Sequence, residues 1–325
     1  MPLPEKKLIA EIRRMATARG RGRLRREVIA GIGDDCAVLR IAANEETLVT
    51  TDFCLEGIHF RREWHSAEVV GHRCLARGLS DIAAMGGRPV AVFLSLALPR
   101  DLPQAWVTGF MRGLTKLARR HAVTLAGGDT AQSPDGVLAD IIVVGAVPRG
   151  TAILRSGARP GDRIYVSGAL GGSAATLEEL RRRKKIEASD DPRHFHPEPR
   201  VELGRALREK RFATAMIDTS DGLSTDLAHL CEESGVGAEI DAASIPRARV
   251  GKSAREVDPD LALHGGEDYE LLFTSPREKN VPRRIAGVDL TLIGHVTRQK
   301  TIFLTERGCG TELKPHGWEH FRQES

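Results

Sequence analysis

The sequence predicts a mixed α+β fold, built as α/β layers in two domains. Apolar segments typical of strands alternate with segments of helical periodicity along the 325-residue chain. A stretch rich in Pro and Gly, residues 148–162, interrupts this alternation, and 41% hydrophobic residues are enough for two separate cores. We therefore expect a strand-rich N-terminal domain at 1–150 and an α+β C-terminal domain at 151–325.

The N-terminal half is predicted to contain five strands and two long helices. A polar turn at 44–46 separates two apolar segments, 38–41 and 47–53, and this pattern indicates a β-hairpin. Ser66 is a typical helix cap, and Pro103 is typical of the first turn of a second helix. The two helices are predicted at 66–85 and 103–121, and the remaining strands at 90–98, 123–126 and 137–147.

The C-terminal half alternates strands with helices, which favours layered α/β architecture over a helical bundle. A polar stretch rich in Pro and His, 191–199, is predicted to be a loop. The predicted strands are 163–167, 213–217, 269–274 and 290–296, and the predicted helices are 173–185, 201–209 and 223–234.

Composition narrows the possible functions. The longest apolar-rich run, 89–99, is shorter than the roughly 20 residues that cross a bilayer, and the N-terminus lacks a signal sequence, so we expect a soluble cytoplasmic protein. Five widely spaced cysteines without a C-x-x-C pair indicate reduced thiols. A net charge of +4 argues weakly for anionic ligands, and 4% aromatic residues provide little material for base stacking.

Carboxylates recur in short segments of Gly, Ser and Thr, several of them beside apolar strands. Each segment alone is more typical of a turn or a helix cap than of a metal site. If strand ends bring the carboxylates to a common rim, they would repel one another unless cations shared the site. Magnesium, which prefers hard oxygen ligands and substrate phosphates, fits best. The six segments are GIGDD at 31–35, TTD at 50–52, SD at 80–81, GGDT at 127–130, DTSDG at 218–222 and GGEDY at 265–269.

Other site signatures fail on the sequence. No His/Cys cluster has zinc spacing, and an EF-hand that began at Asp218 would need a glutamate where His229 stands. P-loop and D-F-G kinase signatures are missing, and the Gly171-Gly172-Ser173 turn suits an N-cap better than an anion site. The GGEDY segment resembles the hairpin of diguanylate cyclases, but that family leaves the other five segments unexplained.

In this order the motifs resemble the thiamine-monophosphate kinase family, of the superfamily that includes aminoimidazole ribonucleotide synthetase and selenophosphate synthetase. The resemblance runs from Gly31 to about Phe321. It implies the two-domain fold of aminoimidazole ribonucleotide synthetase. The N-terminal domain would bind ATP and metal and form a homodimer, and the C-terminal domain would complete the active site. The motifs are GIGDDCAVL, TTDFCLEGIHF, LSDIAAMGG, GGDT, LRSGARPGD, DTSDGLSTDL, GGEDYELLFT and GWEHF.

The resemblance also assigns roles to single residues. The implied ligands of several Mg²⁺ ions are Asp35, Thr50, Thr51, Asp52, Asp81, Asp129, Asp218 and Asp221. The implied ATP contacts are Gly128, Asp129, Arg155 and Ser220, and the implied contacts with thiamine monophosphate are His59, Glu267 and Trp318. Asp34 is either a further ligand beside Asp35, a cap, or a residue that contacts the ligands from behind. Two positions depart from the family pattern: Gly78 stands in place of Asn, and Gly172 in place of Asp.

The reaction implied is transfer of the γ-phosphoryl group of ATP to thiamine monophosphate, which gives thiamine diphosphate and ADP. A phosphate acceptor is already ionised near neutral pH, so the reaction needs no general base, and the sequence shows many carboxylates without a Ser-His arrangement. Magnesium ions and Arg155 would reduce the repulsion between the two polyanions. The alternatives are another ATP-dependent synthetase of the superfamily, or a nucleic-acid-binding protein that uses the arginine-rich N-terminus.

Overall fold

The computed structural model describes residues 3, 5–17, 27–30, 38–182 and 185–318. The chain divides into two compact units. Unit 1 comprises Met1–Ile82 and Gly87–Thr151, and unit 2 comprises Ala83–Gly86 and Ala152–Ser325. No helix among the described residues is long and apolar enough to cross a membrane.

Unit 1 contains a four-stranded sheet with the strand order β3-β6-β4-β5. Its elements are α1 (Glu5–Thr17), β1 (Val28–Ala30), β2 (Val38–Leu39), β3 (Glu45–Leu55), α2 (Ala67–Ala84), β4 (Arg88–Pro99), α3 (Gln104–Arg120), β5 (Thr124–Ser133) and β6 (Leu138–Pro148). Strands β4 and β5 run parallel, joined by α3 as the crossover helix, and the other neighbours are antiparallel.

The predicted hairpin of 38–41 and 47–53 is wrong. Both segments form strands, but β2 pairs with β1, and β3 pairs along its whole length with β6, from Glu45 opposite Pro148 to Leu55 opposite Leu138. A ladder of eleven residue pairs satisfies far more backbone donors and acceptors than a short local hairpin, so the distant partner wins.

Helix α2 begins as predicted and packs closely on the sheet. The Val69 amide donates to Oγ of Ser66 at 3.3 Å, which confirms the predicted cap. In the middle of the helix, a Cβ atom built at Gly78 would lie 2.6 Å from Cγ2 of Val143 on β6. The missing side chain at this departure from the family pattern is therefore what allows the helix to approach Val143.

Unit 2 is built on an eight-stranded sheet. Its elements are β7 (Arg163–Ser167), α4 (Gly172–Arg181), α5 (Pro192–Phe195), α6 (Val201–Glu209), β8 (Ala215–Asp218), α7 (Leu223–Ser234), β9 (Gly237–Asp241), β10 (Arg249–Val250), β11 (Arg255–Glu256), α8 (Pro259–His264), β12 (Leu271–Ser275), β13 (Arg284–Ile285), β14 (Val288–Thr297), β15 (Ile302–Glu306) and β16 (Cys309–Glu312). The strand order is β16-β15-β9-β14-β7-β12-β8, and β13 pairs with β14. Leu223, Leu227 and Leu230 of α7 face its core at helical spacing.

Several short elements of unit 2 were not predicted. Helix α5 lies in the stretch expected to be a loop, and strands β15 and β16 at the edge of the sheet were missed. All four residues of β16 are exposed, so the strand shows no alternation between apolar and polar residues. The predicted helix 173–185 ends at Arg181, and residues 183–184 lie outside the described part of the chain.

We predict that restoring the family's asparagine, Gly78→Asn, lowers the free energy of unfolding by ~1–3 kcal/mol, because the new side chain overpacks against Val143. Equilibrium denaturation in urea measures the loss. Val143→Ala is the matched second substitution, since it removes the Cγ atoms that the new side chain would overlap. The double variant should be at least ~1 kcal/mol more stable than the sum of the two single effects predicts, and strict additivity would contradict the proposed contact.

Candidate active site

The sequence predicts that the carboxylates of unit 1 lie on turns, but in the structure the described ones lie inside strands and a helix. Asp52 is inside β3, Asp81 is inside α2, and Asp129 is inside β5, which continues seven residues beyond the predicted strand end at Ala126. In unit 2 the expectation is closer, because Asp218 is the last residue of β8 and Asp221 follows it in the turn before α7. Asp34 and Asp35 lie outside the described residues.

One face of β3 forms a polar cluster with α2. Residues alternate between the two faces of a strand, so Thr50 and Asp52 share a face. The Thr50 hydroxyl donates a short hydrogen bond to Oδ2 of Asp81, and Nε of Arg77 lies 3.7 Å from Oδ1 of Asp52. Arg77 and Asp81 are four residues apart and therefore project from the same side of the helix. Three predicted ligands thus lie within one cluster.

The Asp52 carboxylate is costly to ionise in this cluster. Burial and then the negative charge of Asp81 raise its pKa, Arg77 opposes both effects only in part, and the resulting pKa is about 7. A cation beside Asp52 and Asp81 would remove this cost. The donors are two carboxylates and a hydroxyl, which are the hard oxygen ligands that Mg²⁺ prefers.

The opposite face of β3 carries a second row of polar residues. In the sequence, Thr51 is grouped with Thr50 and Asp52. The Thr51 hydroxyl donates to Oδ1 of Asp140 at 2.6 Å. Asp140 lies opposite Ser95 on β4, which in turn lies opposite Asp129 on β5, so these side chains share one face of the sheet. The structure therefore separates Thr51 and Asp129 from the cluster of Thr50, Asp52 and Asp81.

Asp140 is a residue that the sequence reading missed. It is the one charged residue in the apolar sequence of β6, LADIIVVGAVP, and a lone carboxylate within such a strand is a signal that could have been used. Its charge also contributes to raising the pKa of Asp52.

The predicted substrate contact His59 lies in the tight turn after β3. The Leu55 amide donates to Nδ1 of His59 at 3.0 Å, and the Gly57 amide donates to the Phe60 carbonyl at 2.8 Å. Because Nδ1 is an acceptor here, the proton of a neutral His59 ring is on Nε2. The turn thus fixes both the orientation and the tautomer of the imidazole.

In unit 2 the turn at the end of β8 is joined to the 265–269 loop. The amides of Glu267 and Tyr269 donate to the carbonyls of Ser220 and Thr219, at 2.7 and 2.9 Å. These bonds continue the β8–β12 ladder past Asp218. They bring together Ser220, a predicted ATP contact, and Glu267, a predicted substrate contact.

Asp226 on the first turn of α7 organises the Asp221 turn from inside. Its Oδ2 accepts hydrogen bonds from the amides of Asp221 and Gly222, at 3.3 and 3.0 Å. Burial raises the pKa of Asp226 well above its usual value, and the charges of Asp218 and Asp221 add to the increase. Three carboxylates therefore lie close enough to repel one another at this end of the sheet.

Glu267 and Trp318 both contact the Asp218–Gly222 turn. Glu267 has φ +64° and Tyr269 has φ +52°, a left-handed backbone that costs about 1 kcal/mol or more per residue and is typical of functional loops. The Trp318 amide donates to the Asp221 carbonyl at 3.0 Å, and its side chain is 50% exposed. Unit 2 therefore gathers five predicted site residues: Asp218, Ser220, Asp221, Glu267 and Trp318.

The other acidic residues of the GGEDYE motif have internal partners. Asp268 accepts hydrogen bonds from the amides of Gly171 and Ser173, at 2.6 and 3.3 Å, and desolvation raises its pKa to about 7. An internal carboxylate thus occupies the turn at Gly171-Gly172-Ser173, and the cap of α4 comes from Asp268, because Ser173 Oγ pairs with Nδ1 of His194.

Glu270 is fully buried and was not recognised from the sequence. It accepts from Ser167 Oγ at 2.5 Å and from the Arg200 guanidinium, with Nε at 2.7 Å. Buried charges need such partners. Arg193 also pairs with Glu270, at 3.5 Å. Gly172, the second departure from the family pattern, lies beside this network, because a Cβ atom there would be 3.2 Å from Cδ of Arg193.

Arg155, a predicted ATP contact, is not part of the cluster around the Asp221 turn. Its carbonyl accepts from Oγ of Ser234 at 2.8 Å, which places its backbone beside the C-terminal end of α7. The Asp221 turn precedes the N-terminal end of this twelve-residue helix, which is about 18 Å long. The role of Arg155 as an ATP contact stays a prediction.

Among the described residues, no group of three or more His, Cys, Asp or Glu side chains is arranged to hold a metal ion. The β3–α2 cluster supplies two carboxylates and one hydroxyl, a donor set that suits a hydrated ion which also binds substrate phosphates. The residues therefore fit magnesium by their chemistry, and its binding is a proposal.

Comparison with known proteins places the chain in a family. The model named AIR synthase related protein, N-terminal domain, matches residues 33–147, and the corresponding C-terminal domain model matches residues 159–306. Thiamine-monophosphate kinase of Escherichia coli (strain K12) is 39% identical over 311 residues, which covers 91% of this chain and 93% of the relative. This chain belongs to the thiamine-monophosphate kinase family. The two-domain fold expected from the resemblance is confirmed.

Solved structures agree with this assignment. The crystal structure of thiamine-monophosphate kinase from Stenotrophomonas maltophilia K279a matches with a TM-score of 0.79 at 36% identity, over 95% of this chain and 99% of that chain. The structure of AaThiL complexed with AMPPCP and TMP matches with a TM-score of 0.76 at 32% identity, over 98% and 97% of the two chains. This kinase chain therefore shares its whole fold with a relative seen with two phosphate ligands.

We predict that Asp52→Asn removes a pH-dependent loss of stability that Asp52 causes in the absence of metal. The folded pKa of Asp52 lies above its unfolded value, so the folded state binds the extra proton between about pH 4 and 7, and stability falls as pH rises through this window. In chelator at pH 8, Asp52→Asn should therefore melt at a higher temperature than the wild type, and magnesium should stabilise it less.

Thermal melts with and without magnesium at pH 5 and pH 8 measure the melting temperatures and the stabilisation by magnesium. Asp101→Asn, an exposed carboxylate of unit 1, is the matched control and should behave as the wild type does. Equal stabilisation of Asp52→Asn and the wild type by magnesium would remove Asp52 from the ligand set.

Proposed function

We propose that this protein transfers the γ-phosphoryl group of ATP to the phosphate of thiamine monophosphate, giving thiamine diphosphate and ADP. The observation that carries the proposal is the gathering of Asp218, Asp221, Glu267 and Trp318 around one turn, in a chain of the thiamine-monophosphate kinase family. The related AaThiL binds AMPPCP and TMP, which have the chemistry of the donor and the acceptor.

Each part of the reaction has residues suited to it. Thr50, Asp52 and Asp81 in unit 1, and Asp218 and Asp221 in unit 2, would hold Mg²⁺, which neutralises and aligns phosphate oxygens when bound. The acceptor phosphate is already ionised near neutral pH, so no side chain has to remove a proton. Asp35, Thr51 and Asp129 remain proposed ligands, and Gly128, Ser220 and Arg155 remain proposed ATP contacts.

The organic part of the acceptor carries a cationic thiazolium ring. Glu267 supplies a negative charge, and the half-exposed Trp318 supplies an aromatic face, and both groups attract a cation. The strained backbone of Glu267 fixes its position before the substrate binds. His59 is the third proposed substrate contact, with its ring held by the Leu55 amide.

Product analysis tests the function. Incubation of the full chain with ATP, magnesium and thiamine monophosphate should yield thiamine diphosphate and ADP in equal amounts, and aminoimidazole-pathway substrates should yield none. Asp129→Ala should lower turnover at least ~100-fold, because a proposed ligand of the phosphate-bound cation is lost. ADP formation that requires an aminoimidazole-type substrate would favour the superfamily's other synthetases.

The substrate contacts are separated from the ATP contacts by steady-state kinetics. Trp318→Ala should raise KM for thiamine monophosphate by ~5-fold or more and leave KM for ATP unchanged, since the ring is proposed to contact only the acceptor. An increase confined to the KM for ATP would contradict that role.

We also propose a homodimer that forms through unit 1. Val49 and Phe53 are 67% and 55% exposed, and they share the outer face of β3 with Thr51. Large apolar side chains in a row on a sheet face are typical of a surface that another chain covers.

A cytoplasmic location also remains a prediction; the four described cysteines are free thiols, as a reducing compartment requires.

Sedimentation tests the dimer. The wild type is expected to sediment as a dimer, and Phe53→Glu as a monomer, because a charge would be buried without a partner in the interface. Ile58→Glu is the matched control, since Ile58 is 52% exposed but lies in the turn after β3. A wild type that is monomeric at micromolar concentration would refute the proposal.

A further inference from the structure

A cavity of about 550 Å³ lies in unit 2, away from the Asp218 turn. Arg163 of β7 contributes to it and lies opposite His295 and Ser275 on the neighbouring strands. At the other end of the same strands, Ser167 lies opposite Leu290, and Asp218 lies opposite Leu271. The five residues of β7 span about 13 Å, so the cavity and the Asp218 turn are at opposite ends of the sheet.

The cavity is lined by positive charge. Arg163 and Arg277 both line it, together with the imidazole of His295. Within the described part of the chain, neither guanidinium makes a side-chain hydrogen bond or an ion pair. Arginines that lie near each other without anionic partners attract anions from solution, and their planar forks match phosphate oxygens.

One carboxylate in the lining, Asp241, offsets part of this charge. Asp241 accepts hydrogen bonds from the Ala243 amide at 3.2 Å and from Oγ of Ser244 at 2.5 Å, so it caps the short 3-10 turn that follows β9. His295 lies 3.9 Å from Glu239, which is not part of the lining. With two guanidinium groups against one carboxylate, the lining keeps a net positive charge.

The cavity also has an apolar wall. Leu292 is 45% exposed although it belongs to a central strand of the sheet, and it lies beside Ile293 and Gly294. Small-molecule sites typically have volumes of roughly 300–1,000 Å³ and combine apolar walls with a few charged groups. A volume of about 550 Å³ is suited to an anion that carries a ring system.

We propose that this cavity, the Arg163 groove, is a second ligand site that binds a phosphate monoester, with the phosphate on Arg163 and Arg277 and the organic part on Leu292. The groove is independent of the proposed phosphoryl transfer. Its ligand binds without metal, because the positive charge comes from the protein itself.

Calorimetric titration of the full chain tests the groove in magnesium-free buffer with chelator. The probes are AMP, inorganic phosphate and thiamine monophosphate. Arg163→Gln/Arg277→Gln should weaken the AMP binding of the wild type at least ~tenfold. Arg255→Gln/Arg307→Gln removes two exposed arginines elsewhere in unit 2 and should leave it unchanged. Thermal melts confirm that both double variants are folded.

The organic part is tested by Leu292→Asn, which should weaken AMP by ~2–5-fold and leave inorganic phosphate unaffected. Thiamine monophosphate should bind less tightly than AMP, because its cationic ring is repelled by the arginines. Equal AMP binding by the two double variants would overturn the proposal. Turnover of ATP and thiamine monophosphate should remain within ~twofold in Arg163→Gln/Arg277→Gln, so a failure of the groove and a failure of the kinase function are distinguishable.

Discussion

Desolvation of neighbouring carboxylates is the constraint on which the acidic clusters of unit 1 and of unit 2 both depend. Asp52 lies with Asp81, and Asp226 lies with Asp218 and Asp221, and in each group burial and like charge act in the same direction on the pKa. A protein cannot keep such groups ionised without a compensating charge. The backbone nevertheless fixes them in place, through the β3–β6 ladder in unit 1 and the amides of Asp221 and Gly222 in unit 2.

The molecule resolves this cost in two ways. Glu270 is paired internally with Arg200 and Ser167, and Asp268 is bound by the free amides of a helix terminus. These two acids are fully used in holding the turn after β7. Asp52 has a contact with Arg77 at 3.7 Å and lies against a second acid, Asp81, so its charge is only partly compensated and is available to a cation. The hydrogen-bond and ion-pair partners of an acid therefore indicate its role. Glu270 and Asp268, with internal partners, are structural, whereas Asp52 can bind metal.

Much of the fold could be predicted because local signals and tertiary packing agree. The Ser66 cap, the β7 strand and helix α7 follow from residues that lie within one element. The false hairpin arose because the pairing of β3 with β6 depends on residues far apart in the chain, which periodicity does not report. Strand β16 escaped detection because an exposed edge strand needs no apolar alternation.

The candidate site shows the same limit at the level of side chains. The sequence identified the acids of TTD and SD, but it treated them as members of one rim, whereas alternation along β3 places Thr51 on the face opposite Thr50 and Asp52. Asp140 was missed because it belongs to no motif, and its hydrogen bond with Thr51 and its effect on the pKa of Asp52 are visible only in the structure. Resemblance finds residues that lie in the recognised motifs, and geometry is needed for those that lie outside them.

The two ends of the unit 2 sheet illustrate why charge decides how a phosphate is held. At the Asp218 end the protein offers carboxylates, which repel phosphate and attract it only through a shared cation. At the Arg163 end it offers guanidinium groups, which bind phosphate oxygens directly. A cation held by Asp218 and Asp221 would neutralise the charge of phosphate oxygens and so favour their reaction, while guanidinium groups would hold an anion without activating it. Opposite charges at the two ends of the same strands therefore suit reaction at one end and binding alone at the other.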